Sequence, residues 1–218
     1  MKTLVVKNLH IIYKTGSPLV GPLNFMIKPG EVMTLMGVSG VGKSTVLNWL
    51  IGVPQAMFKI TGEAWLGEQR IDHLATEKRR VGILFQDDLL FPHFSVGDNL
   101  AYALPATTKG KAARRQAIES VLSDAELNGF YNRDPATLSG GQRARVSLLR
   151  ALIAEPDALL MDEPFSKLDT ALRQQFRQFV YDRIKARQIP SLLVTHDAGD
   201  IPPQGRVLEL YRAGADHV

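Results

Sequence analysis

The spacing of hydrophobic positions changes several times along the 218-residue chain. Residues 2–7 and 22–27 predict strands, with Pro29-Gly30 as a turn. EVMTLM at 31–36 is an apolar run that stops at a glycine, and Lys43 to Leu50 has a helical pattern. Residues 60–66 and 81–85 predict two further strands. In 106–137 the pattern differs. Ile118, Leu122 and Leu127 fall at helical spacing, so 95–140 predicts a mostly helical insertion into a core made of 1–94 and 141–218. A helix over 142–154 then leads through Pro156 into ALLM at 158–161. That run does not alternate, which suits a strand buried on both faces of a parallel sheet. A helix over 170–186 and strands at 191–195 and 206–210 complete the series. Strands alternating with helices predict a layered α/β core.

Composition adds bounds. Hydrophobic residues at 45% and charged residues at 22% are ordinary for a globular chain able to bury a core. The excess of 26 basic over 22 acidic residues is small. It is compatible with a nucleotide, anionic lipid or nucleic acid and selects none of them. The basic clusters Lys78-Arg79-Arg80 and Lys109–Arg115 are short and lack interleaved aromatics, so no nucleic-acid partner is expected. Disulfides and thiolate metal sites are excluded, because there is no cysteine. The opening MKTLVVKNLHIIYK breaks its short apolar run at Lys7 and does not read as a signal peptide. No stretch approaches the roughly 18 apolar residues of a spanning helix. Work at a membrane would therefore need another chain as anchor.

The first chemical signal is GVSGVGKST, Gly37-Val38-Ser39-Gly40-Val41-Gly42-Lys43-Ser44-Thr45. It matches GxxxxGK[ST] and lies between a predicted strand and a predicted helix. Glycines let backbone N–H groups wrap phosphate oxygens, and the helix N-terminus adds positive potential. Lys43 supplies a charge for the β- and γ-phosphates, and Ser44 a hydroxyl for Mg2+.

A hydrophobic strand ends at Asp162-Glu163 in LLMDEP. Ligands of α/β sheets bind beyond the carboxyl ends of strands. Asp162 is thus placed to hold Mg2+, and Glu163 to polarise a water for attack on the γ-phosphate. His196 in VTHD also comes just after a predicted strand and is a candidate γ-phosphate contact. Gln86, after VGILF, can ligate Mg2+ or orient water. Tyr13 can stack on a base or simply pack in the core. LSGGQ at 138–142 raises a different question: Ser139, Gly140, Gly141 and Gln142 form a second phosphate-gripping shape in a chain that already has one.

Taken together, GVSGVGKST, Gln86 in LFQDD, LSGGQ, LLMDEP, SKLD at 166–169 and VTHD resemble the ATP-binding subunits of ABC transporters, in order and rough spacing, from about Tyr13 to His196. The resemblance implies an α/β fold: a P-loop NTPase core of parallel sheet and flanking helices, an antiparallel β-subdomain, and a helical subdomain insertion. It implies ATP and Mg2+ as cofactors and ATPase activity. It also implies a head-to-tail homodimer in which LSGGQ of one copy completes the ATP site of the other. On that resemblance, Tyr13 stacks on adenine, Ser44 and Gln86 ligate Mg2+, and Glu163 is the base. Asp169 acts across the dimer, and His196 contacts the γ-phosphate.

FQDDLLFPHFSVGDNL at 85–100 further resembles importer ATPases of the iron, sulfate, polyamine and thiamine type. That resemblance implies a membrane permease docked near Leu89, Leu90, Phe91 and Phe94, and indirectly a periplasmic or extracellular solute-binding protein. The expected location is cytoplasmic, peripheral on the inner face of the bacterial membrane. The same four side chains would also serve to fill the junction between core and insertion. A soluble cassette ATPase acting on nucleic acid or ribosomes is the alternative. Those usually carry two cassettes or long coiled-coil insertions, which are not seen here. Departures from the family pattern are Val38 for a frequent proline, Lys167 where a small residue or Asn is common, and two prolines after VTHD. No room is expected for an appended regulatory β-domain.

Overall fold

In a computed structural model, which describes residues 1–211, strands β1 (Leu4–Tyr13) and β2 (Pro18–Ile27) pair antiparallel. β1 runs well past the expected end at Lys7. Its buried positions switch from even to odd, Leu4 and Val6 before the break and Leu9 and Ile11 after it. An unbroken strand with period two would expose one of these pairs, losing about 1.5–3 kcal/mol per side chain. The switch occurs at a bulge, where Asn8 takes φ 48° and its N–H donates to Asn24 Oδ1 at 2.8 Å.

The chain continues through β3 (Val32–Met36), helix α1 (Lys43–Ile51), β4 (Phe58–Leu66), a two-residue β5 (Gln69–Arg70) and β6 (Val81–Leu84). Helices α2 (Val96–Ala103), α3 (Lys111–Asp124) and α4 (Gly140–Ile153) come next. Then come β7 (Ala158–Asp162), α5 (Thr170–Arg187), β8 (Ser191–Val194) and β9 (Arg206–Glu209). Two sheets result. One has the order β2-β1-β4-β5 with antiparallel pairing, and the other the order β6-β7-β8-β3-β9. In the second sheet β7, β8, β3 and β9 run parallel. ALLM lies wholly buried in β7, as its unbroken apolar run predicts.

Packing divides the chain into two compact units. The first holds Met1–Ile83, Asp157–Glu163 and the described residues from Tyr181 onward. Its buried cluster joins Leu4, Leu9 and Ile11 of β1 to Val46, Leu47 and Leu50 of α1 and to Leu160, Leu192 and Val194 of the parallel sheet. Buried Arg79 donates to the carbonyls of Trp49 and Leu50 at the end of α1, at 2.6 and 3.1 Å, and of Asp72 and Leu74, at 2.6 and 2.8 Å. This side chain therefore fastens the helix that comes after the phosphate loop.

The second unit holds Leu84–Pro156 and Pro164–Val180, a longer stretch than the 95–140 insertion expected from sequence. Val96 and Leu100 of α2, Ile118 and Leu122 of α3, and Val146 and Leu149 of α4 form its core. Leu127 joins that core from beyond α3, which ends at Asp124.

Candidate functional site

The parallel sheet aligns three strand ends. Leu35 of β3 pairs with Val194 of β8, and Val194 pairs with Asp162 of β7. Each of these ends leads into a candidate group: β3 into the phosphate loop, β8 into His196, and β7 into Asp162-Glu163. Motifs more than a hundred residues apart thus meet at one edge of one sheet.

The helix α1 opens without a side-chain cap. Its N-cap is Gly42 in a left-handed conformation, φ 108°, and its first turn carries no acidic residue. By contrast, α2 and α4 both open with capping boxes. The first-turn N–H groups of α1 have no acceptor within the helix, and together with the macrodipole they favour an anion there. A Cβ on Gly42 would lie 2.6 Å from Val20 Cγ2, so the turn admits only glycine. Val41 is buried in the core and anchors the loop, whereas Val38 is exposed. Lys43 Nζ donates to the carbonyls of Gly37 at 2.7 Å and Val38 at 3.1 Å, which holds the ammonium over the loop.

Asp162 has its pKa raised, first by burial. A hydrogen bond from Ser44 acts in the opposite direction, the Glu163 charge raises it further, and Lys43 lowers it. Ser44 and Asp162 together present a hydroxyl and a carboxylate, hard oxygen donors that suit Mg2+. Among the described residues no group of three or more His, Cys, Asp or Glu could hold a metal unaided. An ion here would take its other ligands from nucleotide and water. Glu163 adopts φ 47°, uncommon for a residue with a side chain, and its N–H donates to Val194 O at 2.9 Å. Its Oε1 lies 3.2 Å from His196 Nδ1.

A cavity of about 510 Å3 is lined by several of these groups, though not by Asp162. Its walls include Ser39, Gly40, Gly42, Lys43, Ser44, Thr45, Glu163 and His196, with Tyr13, Phe58 and Leu19 also lining it. The rings of Tyr13 and Phe58 tilt at 48° with centroids 5.0 Å apart. Tyr13 also packs on the core cluster, which is the packing role that the sequence left open. No motif marks Phe58 or Leu19. Both are brought to the cavity by strands of the antiparallel sheet, and only pairing in three dimensions reveals them.

The remaining candidates belong to the second unit: Gln86, Ser139, Gly140, Gly141, Gln142 and Asp169. Ser139 caps α4. Its Oγ accepts from Gln142 N–H at 3.3 Å, and Gln142 Oε1 accepts from Ser139 N–H at 3.0 Å. The SxxQ spacing that makes this box is readable in sequence. Asp169 accepts from Leu172 N–H at 3.0 Å and so caps α5, a role that motif reading missed. Ser139 and Gly140 are exposed, whereas Gly141 is buried. Near the expected docking segment, Phe91 meets Phe94 and Tyr102 edge-on, with centroids 5.3 and 5.1 Å apart. Leu89 and Tyr102 are exposed, while Leu90 packs on the helical core.

A glycine-rich loop opening an uncapped helix, with acidic and imidazole groups on adjacent strand ends of a parallel sheet, defines a P-loop nucleoside triphosphatase. More narrowly, the chain belongs to the ABC transporter family, whose model matches residues 20–166, and it is an ATP-binding ATPase of that family. It is 55% identical over 207 residues to the uncharacterized ABC transporter ATP-binding protein YnjD of Escherichia coli, covering 95% of this chain and 94% of that protein. It is 37% identical over 194 residues to the Fe(3+) ions import ATP-binding protein FbpC of Mannheimia succiniciproducens, covering 89% of this chain and 54% of the relative. Over 225 residues it is 35% identical to the maltose/maltodextrin import ATP-binding protein MalK of Yersinia pestis, covering 95% and 60%. The chain thus spans between half and two thirds of the length of these import relatives. No helix among the described residues is long and apolar enough to cross a membrane.

Proposed function

We propose that this chain is the ATP-hydrolysing subunit of a bacterial import system, and that two copies close head to tail around two ATP molecules. The observation that carries the dimer is Gly140. A Cβ there would meet nothing nearer than Arg143 Nη2 at 4.0 Å, so packing within the chain does not require a glycine at the exposed end of α4. The capping box employs the N–H groups of Ser139 and Gln142. Those of Gly140 and Gly141 lie in the first turn, where a helix has no acceptor of its own. A bare, glycine-lined helix terminus is suited to the triphosphate of a second copy.

In this reading ATP lies in the cavity of the first unit, its base on Tyr13 and Phe58 and its phosphates on the 37–45 loop and Lys43. Ser44 and Asp162 would hold Mg2+, which would supply charge neutralisation at the phosphate oxygens; Gln86 is assigned to the same ion by resemblance alone. Glu163 accepts a proton as water attacks the γ-phosphorus and the bond to the β-phosphate bridge breaks. His196 steadies Glu163 and faces the γ-phosphate. Asp169 and Ser139–Gln142 serve the neighbouring copy.

The import assignment draws on the names of the relatives. A membrane permease is the proposed partner, with a solute-binding protein acting through it, and the chain would sit on the cytoplasmic face of the membrane. The exposed Leu89 and Tyr102 beside Phe91 and Phe94 supply apolar surface for the permease.

Gel filtration with ATP and Mg2+ tests the reading. Glu163→Gln should accumulate as a dimer while hydrolysis falls about a hundredfold or more. A Glu163→Gln chain that stays monomeric or hydrolyses at the normal rate would overturn it.

A further inference from the structure

Lys167, one of the departures from the family pattern, pairs with Asp87, 80 positions away and next to Gln86. Lys167 itself lies in the loop that ends at Asp169. The neighbouring Asp88 is gripped from another side. Arg143 Nε donates to Asp88 Oδ2 at 2.8 Å and its Nη1 to Leu138 O at 2.7 Å. Ser147 Oγ donates to Asp88 O at 2.9 Å, and Arg150 to Leu89 O at 2.9 Å and Asp88 O at 3.2 Å. Arg143, Ser147 and Arg150 stand on one face of α4, spaced by four and three residues. The short strip 87–89 therefore ties the start of α4 to one carboxylate and the loop of Asp169 to the other.

We propose that Lys167 is a positioning residue for ATP hydrolysis, acting through Asp87. This rests on the proposed function, in which Gln86 serves this copy while Asp169 and Ser139–Gln142 serve the neighbour. The Lys167–Asp87 bridge then makes the 87–89 strip, the start of α4 and the loop of Asp169 one mechanical piece. A change around Gln86 in one copy moves the groups that complete the other copy's site. The side chains of Lys167 and Asp87 are 54% and 64% exposed, so the pair contributes little to folding. Its effect lies in orientation, and that separates it from a structural bridge.

The experiment is a double-mutant cycle on the full chain. Lys167→Ala and Asp87→Ala should each lower kcat about two- to fivefold, the size expected of an exposed pair. Nucleotide binding at low protein concentration, where the chain is monomeric, and the melting temperature should stay unchanged. The double alanine variant should lose no more than either single. Lys167→Arg should keep activity, and the exchanged pair Asp87→Lys with Lys167→Asp should regain at least half of it. In a Glu163→Gln background, the same substitutions should weaken ATP-dependent dimer formation by a similar factor. Losses that multiply in the double variant, an exchange that recovers nothing, or unchanged kcat in both singles would each overturn the proposal. Glu163→Gln alone must lose hydrolysis whatever stands at 87 and 167, so it reports separately on the proposed function.

Discussion

Gly140 and Gly141 are adjacent and identical in sequence, yet the structure gives them opposite constraints. A Cβ on Gly141 would lie 2.5 Å from Leu172 Cδ1, so this glycine lets α4 approach the first turn of α5. Gly140 faces open space. Gly141→Ala should therefore lower stability by about 1–3 kcal/mol through overpacking. Leu172→Ala in the same chain should relieve much of that loss, which thermal or denaturant melts can measure. Gly140→Ala should leave stability unchanged or raise it by up to about 1 kcal/mol, because alanine loses less backbone entropy than glycine on entering a helix. In the proposed dimer the same substitution should cut hydrolysis, because its methyl group would intrude where the neighbour's phosphate would approach. Equal loss of stability at both positions would mean that the motif is there for packing alone. The types of chemistry were legible from residues: a lysine, a hydroxyl, two carboxylates and an imidazole at fixed offsets. What each glycine avoids was not, because Leu172 lies about thirty residues along the chain, beyond the reach of local pattern. The Lys167–Asp87 pair was hidden for the same reason, since neither residue carries a signal of its partner.

At the scale of elements, the helical period over Ile118, Leu122 and Leu127 correctly marked a buried face but overran the helix. α3 stops at Asp124, and Glu126 takes φ 60°. Leu127 N–H donates to Leu122 O at 2.9 Å and Glu126 N–H to Ser123 O at 3.0 Å, while Leu127 stays in the core with Leu122. That is a Schellman ending with glutamate where glycine is preferred. Glu126→Gly should therefore stabilise the chain by about 0.5–1 kcal/mol, since the exposed Glu126 bridge to Arg145 contributes little. A lower midpoint in urea for Glu126→Gly would show that the bridge outweighs the strain. Without a glycine, the stop left no mark in sequence. β1 was cut short for a similar reason: the bulge at Asn8 shifts alternation by one, and period-two reading ends there. Where the pattern was uninterrupted, as in ALLM of β7 and SLLV of β8, elements and burial came directly from it.

For the whole molecule, the decisive question is whether catalysis is divided between copies. The strand ends of the parallel sheet collect the phosphate loop, Asp162, Glu163 and His196 in one unit, while the glycine-lined terminus of α4 belongs to the other. Two inactive variants can separate the alternatives. Ser139→Arg keeps its own phosphate loop but blocks what it offers a neighbour. Lys43→Ala loses its own triphosphate grip but keeps an intact Ser139–Gln142. In a head-to-tail pair with twofold symmetry, a mixed dimer contains one site with both defects and one site with neither. Random pairing of equal amounts makes about half the dimers mixed, so about a quarter of all sites are intact and hydrolysis should recover to roughly that level. Each variant alone should be inactive at every concentration, and Ser139→Arg should still bind ATP as a monomer. If each chain carried a complete reaction centre, mixing would only average two defective enzymes and restore nothing. A mixture that stays inactive although gel filtration shows mixed dimers would therefore count against division of the site between copies. Activity that appears on mixing and falls as the mixture is diluted below the dimer range would support it.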